Sequence, residues 1–169
     1  MVVMCSYVGS TEFLFCATFF YVKHQVSKDV VVTALITDEA DRVLIVKPEH
    51  KEGWIFPGGY VEVGESPSEA CYREILAEIG VEIPKLGRLL SVDYRGSSEE
   101  YIMFIFEGGV FTEDMIKSIK LPPSLLEYRF VPKEEALELL RPKSARRLIP
   151  TLESRNKTGI AYLENQEPF

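Results

Sequence analysis

Two glutamates one helical turn apart are the side chains of this sequence best placed to act together. Glu74 and Glu78 are four positions apart, so on a helix they lie side by side, where their like charges repel slightly. A divalent cation between them would offset that repulsion, and carboxylate oxygens are the ligands that Mg²⁺ and Mn²⁺ prefer. The alternative is a solvated helix face on which Arg73 pairs locally. The pair alone does not decide between a metal site and surface charge.

The segment that carries these glutamates has signals for both ends of a helix. Ser66 is a capping residue followed by Pro67, and Glu69 stands three positions after the cap. Gly80 suits the left-handed position that ends a helix. The sequence therefore predicts a helix over Pro67–Ile79. At about 100° per residue its side chains separate into two sides. The apolar side has Cys71, Tyr72, Ile75, Leu76 and Ile79, and the polar side has Arg73, Glu74, Ala77 and Glu78.

The residues around this helix resemble the Nudix box, whose pattern is G-x5-E-x7-R-E-U-x-E-E-x-G-U with U aliphatic. The chain matches that pattern at every fixed position except the first glutamate of the E-E pair, which is Ala77 here. The matching residues are Gly59, Glu65, Arg73, Glu74, Ile75, Glu78, Gly80 and Val81. The preceding stretch Trp54–Gly59 is also similar to the W-x-(apolar)-P-G-G lead-in that is common in this superfamily.

The resemblance implies a fold, an activity and a set of metal ligands. The fold is α+β, with a mixed β-sheet sandwiched between α-helices. The activity is hydrolysis of a nucleoside diphosphate linked to another moiety X, with Mg²⁺ as cofactor and Mn²⁺ as an alternative ion. Glu74 and Glu78 are then the metal ligands and catalytic residues, and the backbone carbonyl of Gly59 supplies a further oxygen. Such ions polarise phosphoryl oxygens and lower the pKa of a bound water.

Three further residues receive supporting roles from the same resemblance. Glu65 and Arg73 are expected to form an ion pair that ties the loop to the helix rather than to react themselves. Gly58 has no side chain, so the backbone of the Gly58-Gly59 turn can approach closely. The alternative for the two glycines is a plain tight turn.

Ala77 is the one departure from the pattern, and it removes a carboxylate from the cluster. Either a second ion binds more weakly, or a downstream acid takes its place, or activity is low. Glu127, which precedes the Tyr128–Val131 segment, is the leading candidate for a replacement catalytic acid. Further candidates are Glu99, Glu100 and Glu107.

The sequence leaves the substrate unassigned. Ser97 and Ser98 stand where some subfamilies carry Tyr or Pro, and the signatures for NADH and coenzyme A substrates are absent. A basic segment near the C-terminus is either a solvated helix or a contact for phosphate or a partner. Its residues are Arg141, Lys143, Arg146, Arg147, Arg155 and Lys157.

Charge and cysteine content limit the remaining classes of function. The 169 residues include 19 basic and 26 acidic side chains, a net charge of −7, which argues against nonspecific binding to a nucleic-acid backbone. The cysteines Cys5, Cys16 and Cys71 are odd in number and unpaired in spacing, which predicts free thiols in a reducing cytosol. We therefore expect a cytoplasmic protein, and the resemblance implies that its partner is a small nucleotide-type substrate.

Residues 1–28 form a mostly apolar extension ahead of a domain over residues 29–169. A basic start and an uninterrupted apolar run of about 20 residues are both missing, so neither a signal peptide nor a membrane span fits well. The segment is expected to form one or two strands that pack on the domain or on a second subunit, as in a homodimer. A cleaved or membrane-associated segment is the alternative.

The rest of the chain mixes strands and helices, as the α+β class requires. The expected strands are Val30–Thr37, Val43–Val46, Leu86–Asp93, Tyr101–Phe106 and Tyr128–Val131, and the first two form a hairpin. The expected helices besides the one at Pro67 are Thr112–Ile119, Lys133–Leu140 and Ser144–Arg155.

Two functions of different classes remain. The first is a metal-dependent pyrophosphohydrolase, which the retained box residues favour. The second is a catalytically weak or inactive Nudix domain that binds a nucleotide or a protein, because Ala77 has removed a carboxylate.

Overall fold

The computed structural model describes residues 27–83, 85–96 and 100–169. The expectations for residues 1–26, and for Glu99 as an acid, lie outside the described residues. The described strands are β1 (Asp29–Asp38), β2 (Val43–Pro48), β3 (Gly58–Tyr60), β4 (Leu89–Arg95), β5 (Tyr101–Phe111), β6 (Leu125–Val131), β7 (Ala161–Glu164) and β8 (Glu167–Pro168). The described helices are α1 (Pro67–Ile79), α2 (Glu113–Lys117), α3 (Lys133–Leu139) and α4 (Pro142–Arg155).

All described strands belong to one mixed sheet. Its order is β6-β2-β1-β5-β4-β7-β8, and β3 pairs with β1 beside this path. The pairs β1–β5 and β4–β7 are parallel, whereas β1–β2, β1–β3, β2–β6, β4–β5 and β7–β8 are antiparallel. The predicted hairpin of β1 and β2 is present, with Thr37 opposite Val43.

The sheet is covered by helices on both faces, because its strands alternate apolar side chains between the two sides. On one face Val32, Ala34 and Ile36 pack with the buried side of α1. On the other face Leu35 packs with residues from α3 and α4, including Leu148. The predicted α+β class, with a mixed sheet between helices, is confirmed. Within the described residues, every helix is too short or too polar to span a bilayer.

Helix α1 has the predicted bounds because both of its ends are determined locally. The Ser66 hydroxyl accepts the Glu69 N–H at 3.3 Å, and the Glu69 carboxylate accepts the Ser66 N–H at 2.8 Å. At the other end Gly80 is left-handed, with φ 67°. Leu76 was expected on the apolar side but is 50% exposed, since it lies about 100° around the helix from the buried Ile75.

Cys71 lies on the buried side of α1 and is a free thiol, as expected. Burial, with a smaller effect from the negative charge of Glu74, raises the pKa of the Cys71 thiol to about 12. The thiol therefore stays protonated at neutral pH and acts as a small apolar side chain of the core.

Three strands are absent from the expectations, and β4, β5 and β6 differ from their expected bounds by two to five residues at one or both ends. The Gly58-Gly59 turn continues as the short strand β3, because β1 offers it a partner that glycine-rich sequence does not reveal. Strands β7 and β8 were not expected. They form a hairpin whose turn residues, Asn165 and Gln166, have φ values of 54° and 68°. That geometry usually calls for Asn-Gly, so the sequence signal for this hairpin is weak.

Candidate active site

Glu78 is held against the backbone of the Gly58-Gly59 turn. The Gly58 N–H donates a hydrogen bond of 2.8 Å to Oε2 of Glu78. Burial raises the pKa of the Glu78 carboxyl to about 7, and the nearby charge of Glu74 adds to this effect. The Gly58 N–H acts in the opposite direction. In this environment a cation that enters the site would stabilise the ionised form of the Glu78 carboxyl group.

Glu74 lies against the next residue of the same turn. A Cβ atom placed on Gly59 would come within 2.6 Å of both carboxylate oxygens of Glu74, closer than any normal contact allows. Only glycine at position 59 therefore leaves room for the Glu74 carboxylate in this position. The two glutamates one turn apart on α1 thus meet two adjacent glycines of β3.

Arg73 joins the loop before α1 to the carboxylates on it. Its Nε and Nη2 donate to the two oxygens of Glu65 at 2.6 and 2.9 Å. Nη2 also donates to the Tyr60 carbonyl at 2.9 Å, and Nη1 donates to Oε1 of Glu74 at 2.6 Å. The bond from Arg73, helped by the Glu62 N–H, lowers the pKa of Glu65 to about 2. The ion pair that the sequence predicts is therefore present, and it also reaches Glu74.

Replacing Arg73 with alanine should weaken both the fold and the carboxylate site. The change leaves Glu65 without its bidentate partner and Glu74 without a donor, which should lower the melting temperature by about 2–4 °C. Divalent-ion affinity should fall about 10- to 100-fold, as when other groups that orient metal ligands are lost. Thermal melting and Mn²⁺ titration check this. Arg73→Lys should restore part of the stability, and an unchanged melting temperature in Arg73→Ala would contradict the tethering role.

The residues present fit a divalent ion of the magnesium type. Mg²⁺ is usually bound through one or two carboxylates, with waters and substrate phosphates completing its shell. Glu74 and Glu78 are two such carboxylates, and the Gly59 carbonyl remains the expected third oxygen. Nowhere in the described part of the chain do three or more His, Cys, Asp or Glu side chains cluster closely enough to hold a metal by themselves. Ala77 is exposed beside Glu78.

The candidate replacement acids have other partners. Glu127 lies on β6, where its carboxylate accepts a 2.7 Å hydrogen bond from Nε of Arg129. Glu107 lies 3.8 Å from Nε of Arg155, and Glu100 lies 3.2 Å from Nζ of Lys28. Of these three acids, Glu100 alone is among the described residues that line the cavity beside the glycines.

That cavity has a volume of about 650 Å³ and adjoins both Gly58 and Gly59. Its walls come from the first half of β1, the start of β5, the loop before β3, β3 itself and the first two turns of α4. The lining residues that carry a charge or a phenolic hydroxyl are Asp29, Lys51, Tyr60, Glu100, Tyr101, Arg141, Lys143 and Arg147. The sequence pattern does not indicate Lys51, Tyr60 or Tyr101 as site residues. The one sequence feature that could have indicated a site role for Lys51 is its position three residues before the Trp54–Gly59 stretch.

One residue of the basic C-terminal segment is buried, so the interpretation of that segment as a solvated helix is wrong for Arg147. Its side chain is 3% exposed, and its Nη2 lies 2.6 Å from Oδ2 of the fully buried Asp93. The same nitrogen donates to the Tyr101 hydroxyl at 2.7 Å. The Gln166 N–H donates to the other oxygen of Asp93 at 2.9 Å. The C-terminal hairpin therefore helps to fix the cavity wall.

Two curated mouse proteins share a stretch with this chain. Diphosphoinositol polyphosphate phosphohydrolase 3-alpha of Mus musculus is 37% identical over 71 residues, which are 41% of this chain and 43% of that protein. The 8-oxo-dGDP phosphatase NUDT18 of Mus musculus is 38% identical over 79 residues, which are 45% of this chain and 24% of that protein. The chain thus spans less than half the length of these relatives.

The fold and the family are shown by longer matches. The crystal structure of a MutT protein from Methanosarcina mazei Go1 superposes with a TM-score of 0.65 and 25% identity, over 79% of this chain and 99% of that one. A family model for the NUDIX domain matches residues 27–152, which include α1, the two glycines and most of the sheet. The chain belongs to the NUDIX domain family.

Proposed function

We propose that the protein is a divalent-metal-dependent pyrophosphohydrolase that cleaves a nucleoside diphosphate linked to another moiety X. The observation that carries the proposal is the contact of Glu74 and Glu78 with the Gly58-Gly59 turn, since the same two glycines also line a cavity. The names of the mouse relatives, a phosphohydrolase and a phosphatase, support the reaction class.

The roles of the residues follow from their surroundings. When bound, Mg²⁺ or Mn²⁺ would polarise the phosphoryl oxygens and supply an activated water. Glu74 and Glu78 would hold that ion, and the Gly58 N–H fixes one oxygen of Glu78, which would leave its other oxygen as the ligand. Arg73 holds the Glu74 carboxylate in orientation. The cavity accommodates the substrate next to these carboxylates.

A panel of substrates tests the proposal. Nucleoside triphosphates, nucleotide sugars and dinucleotides are incubated with Mg²⁺ or Mn²⁺, and phosphate is measured after treatment with phosphatase. Turnover of at least one compound, abolished by EDTA, is the expected result. Specific nucleotide binding without turnover anywhere in the panel would favour the second candidate, a Nudix domain that only binds. The observation that favours this second candidate is the exposed Ala77. Because alanine replaces a glutamate of the pattern there, Glu74 and Glu78 are the two box carboxylates that remain for a metal ion.

Changing Ala77 to glutamate should improve the response to metal. The added carboxylate stands beside Glu78 and one turn from Arg73, and helix propensity differs little between Ala and Glu. Without metal the extra charge should lower the melting temperature slightly. With metal, the concentration of Mg²⁺ for half-maximal activity should fall about fivefold, the effect of about 1 kcal/mol for one charge at 4 Å in water.

Ala77→Gln is the matched control, because it adds the same length without charge and should leave the Mg²⁺ response unchanged. Glu127→Gln is titrated alongside. If Glu127 already supplies the missing carboxylate, Ala77→Glu should gain nothing and Glu127→Gln should weaken metal binding. An unchanged response in both would place neither residue at the ion.

Several predictions from the sequence belong with this proposal. They are the division into an extension over residues 1–28 and a domain over residues 29–169, a cytoplasmic location, and a homodimer formed with the help of the extension. Sedimentation of the chain with and without residues 1–25 tests the last of these, and an unchanged oligomeric state would remove its support.

A further inference from the structure

The cavity beside the glycines carries more positive than negative side chains, although the chain as a whole has a net charge of −7. Its cationic residues are Lys51, Arg141, Lys143 and Arg147, and its acidic residues are Asp29 and Glu100. The two acids lie at or beside the start of the paired strands β1 and β5, where Asp29 stands opposite Tyr101. A local excess of positive charge in an acidic protein favours an anionic ligand at that place.

Lys51 and Arg141 belong to one wall, because the loop before β3 is joined to the start of α4. The Arg141 N–H donates to the Trp54 carbonyl at 2.9 Å. Gly53 packs so closely on the Arg141 side chain that a Cβ atom there would lie 2.8 Å from Cγ. Lys51 is two residues before Gly53. Lys51 and Arg141 both line the cavity, and these contacts join the loop that carries Lys51 to the residue Arg141.

The charges of these two residues are available to a ligand. In the part of the chain that the structure describes, no carboxylate pairs with Lys51 or Arg141. The other charged groups differ, since Arg147 is paired with the buried Asp93 and Glu100 with Lys28. Helix α4 adds to the same field, because Arg141 precedes its first residue without a side-chain cap hydrogen bond, and the N-terminal end of a helix is electropositive.

We propose that this cavity binds the moiety X, and that Lys51 and Arg141 select an X that carries a phosphate group of its own. The inference rests on the proposed function for the meaning of X. A phosphate would accept charge-assisted hydrogen bonds from both cations, which are about twice as strong as those between neutral groups. An uncharged sugar would leave both cations without a partner. A volume of about 650 Å³ is enough for a group of this size beyond the scissile pyrophosphate.

The first test measures binding and needs no turnover. Inorganic tripolyphosphate is titrated calorimetrically into the full chain in EDTA, for wild type and for the double variant Lys51→Gln/Arg141→Gln. The matched control is Arg146→Gln/Lys157→Gln, which removes the same charge from two exposed residues that are not in the cavity wall. We expect the cavity variant to bind about tenfold more weakly and the control to stay within about twofold of wild type. Equal losses in both variants, or none in either, would overturn the inference.

The second test compares substrates that differ by one phosphate, NADP with NAD and coenzyme A with dephospho-coenzyme A. The phosphorylated member should have the higher kcat/KM, mainly through KM, and the cavity variant should lose about tenfold of that preference while the control keeps it. Turnover without this preference would overturn the inference. No turnover of any compound, together with the expected tripolyphosphate result, would overturn the proposed function and leave the phosphate site standing.

Discussion

Replacing Glu78 with glutamine is expected to lower turnover by about a hundredfold or more at saturating substrate and Mg²⁺. The amide oxygen can still accept the 2.8 Å hydrogen bond from Gly58, and size and helix propensity are nearly unchanged. What the variant lacks is the negative charge that a divalent ion requires. Activity near that of wild type would mean that the box residues no longer perform the reaction in this protein.

The stability of the same variant without metal separates lost chemistry from lost structure. Glu78 has a pKa of about 7 in the folded chain, above its ordinary value of 4.5. Between these values the folded protein holds a proton that the unfolded chain has released, so rising pH favours unfolding. The cost grows from pH 4.5 to 7 and is complete above pH 7. Melting in EDTA should therefore show Glu78→Gln equal to wild type near pH 4.5 and more stable at pH 8, by at least about 2 °C.

The box and its helix could be predicted from the sequence because local signals determine them. The bounds of α1 follow from a cap at Ser66 and a left-handed stop at Gly80, and both involve atoms within four residues. The ion pair of Arg73 with Glu65 spans eight residues of one loop and helix. Such features depend on residues that are close together in the chain, so the sequence pattern is sufficient to predict them.

The walls of the cavity could not be predicted in the same way, because they join distant parts of the chain. Arg147 binds Asp93 across 54 positions and Tyr101 across 46. A pattern of basic residues near the C-terminus cannot show that one of them is buried while its neighbour Arg146 is exposed. The contact between the loop with Lys51 and the start of α4 is likewise a result of the fold.

Replacing Gly59 with alanine should abolish most activity while leaving the protein folded. The added Cβ would stand within 2.6 Å of both oxygens of Glu74, so this carboxylate has to leave its place beside the turn. The obstacle is the far end of a flexible side chain, which can move at little cost. We expect turnover to fall about a hundredfold, Mn²⁺ affinity to fall with it, and the melting temperature in EDTA to change by no more than about 3 °C.

The neighbouring glycine gives the contrasting case and makes the prediction specific. A Cβ atom on Gly58 would meet backbone, namely the Val32 carbonyl and the Thr33 Cα at 2.7 Å, and backbone cannot move without disturbing β1. Gly58→Ala should therefore lose stability first, whereas Gly59→Ala should lose function first. Gly159→Ala, where nothing lies within 4 Å of the new atom, serves as the neutral control.

Because Gly59→Ala acts through Glu74, adding Glu74→Ala to it should cost little more activity. Full additivity of the two losses would show that the glycine and the glutamate do not share one site.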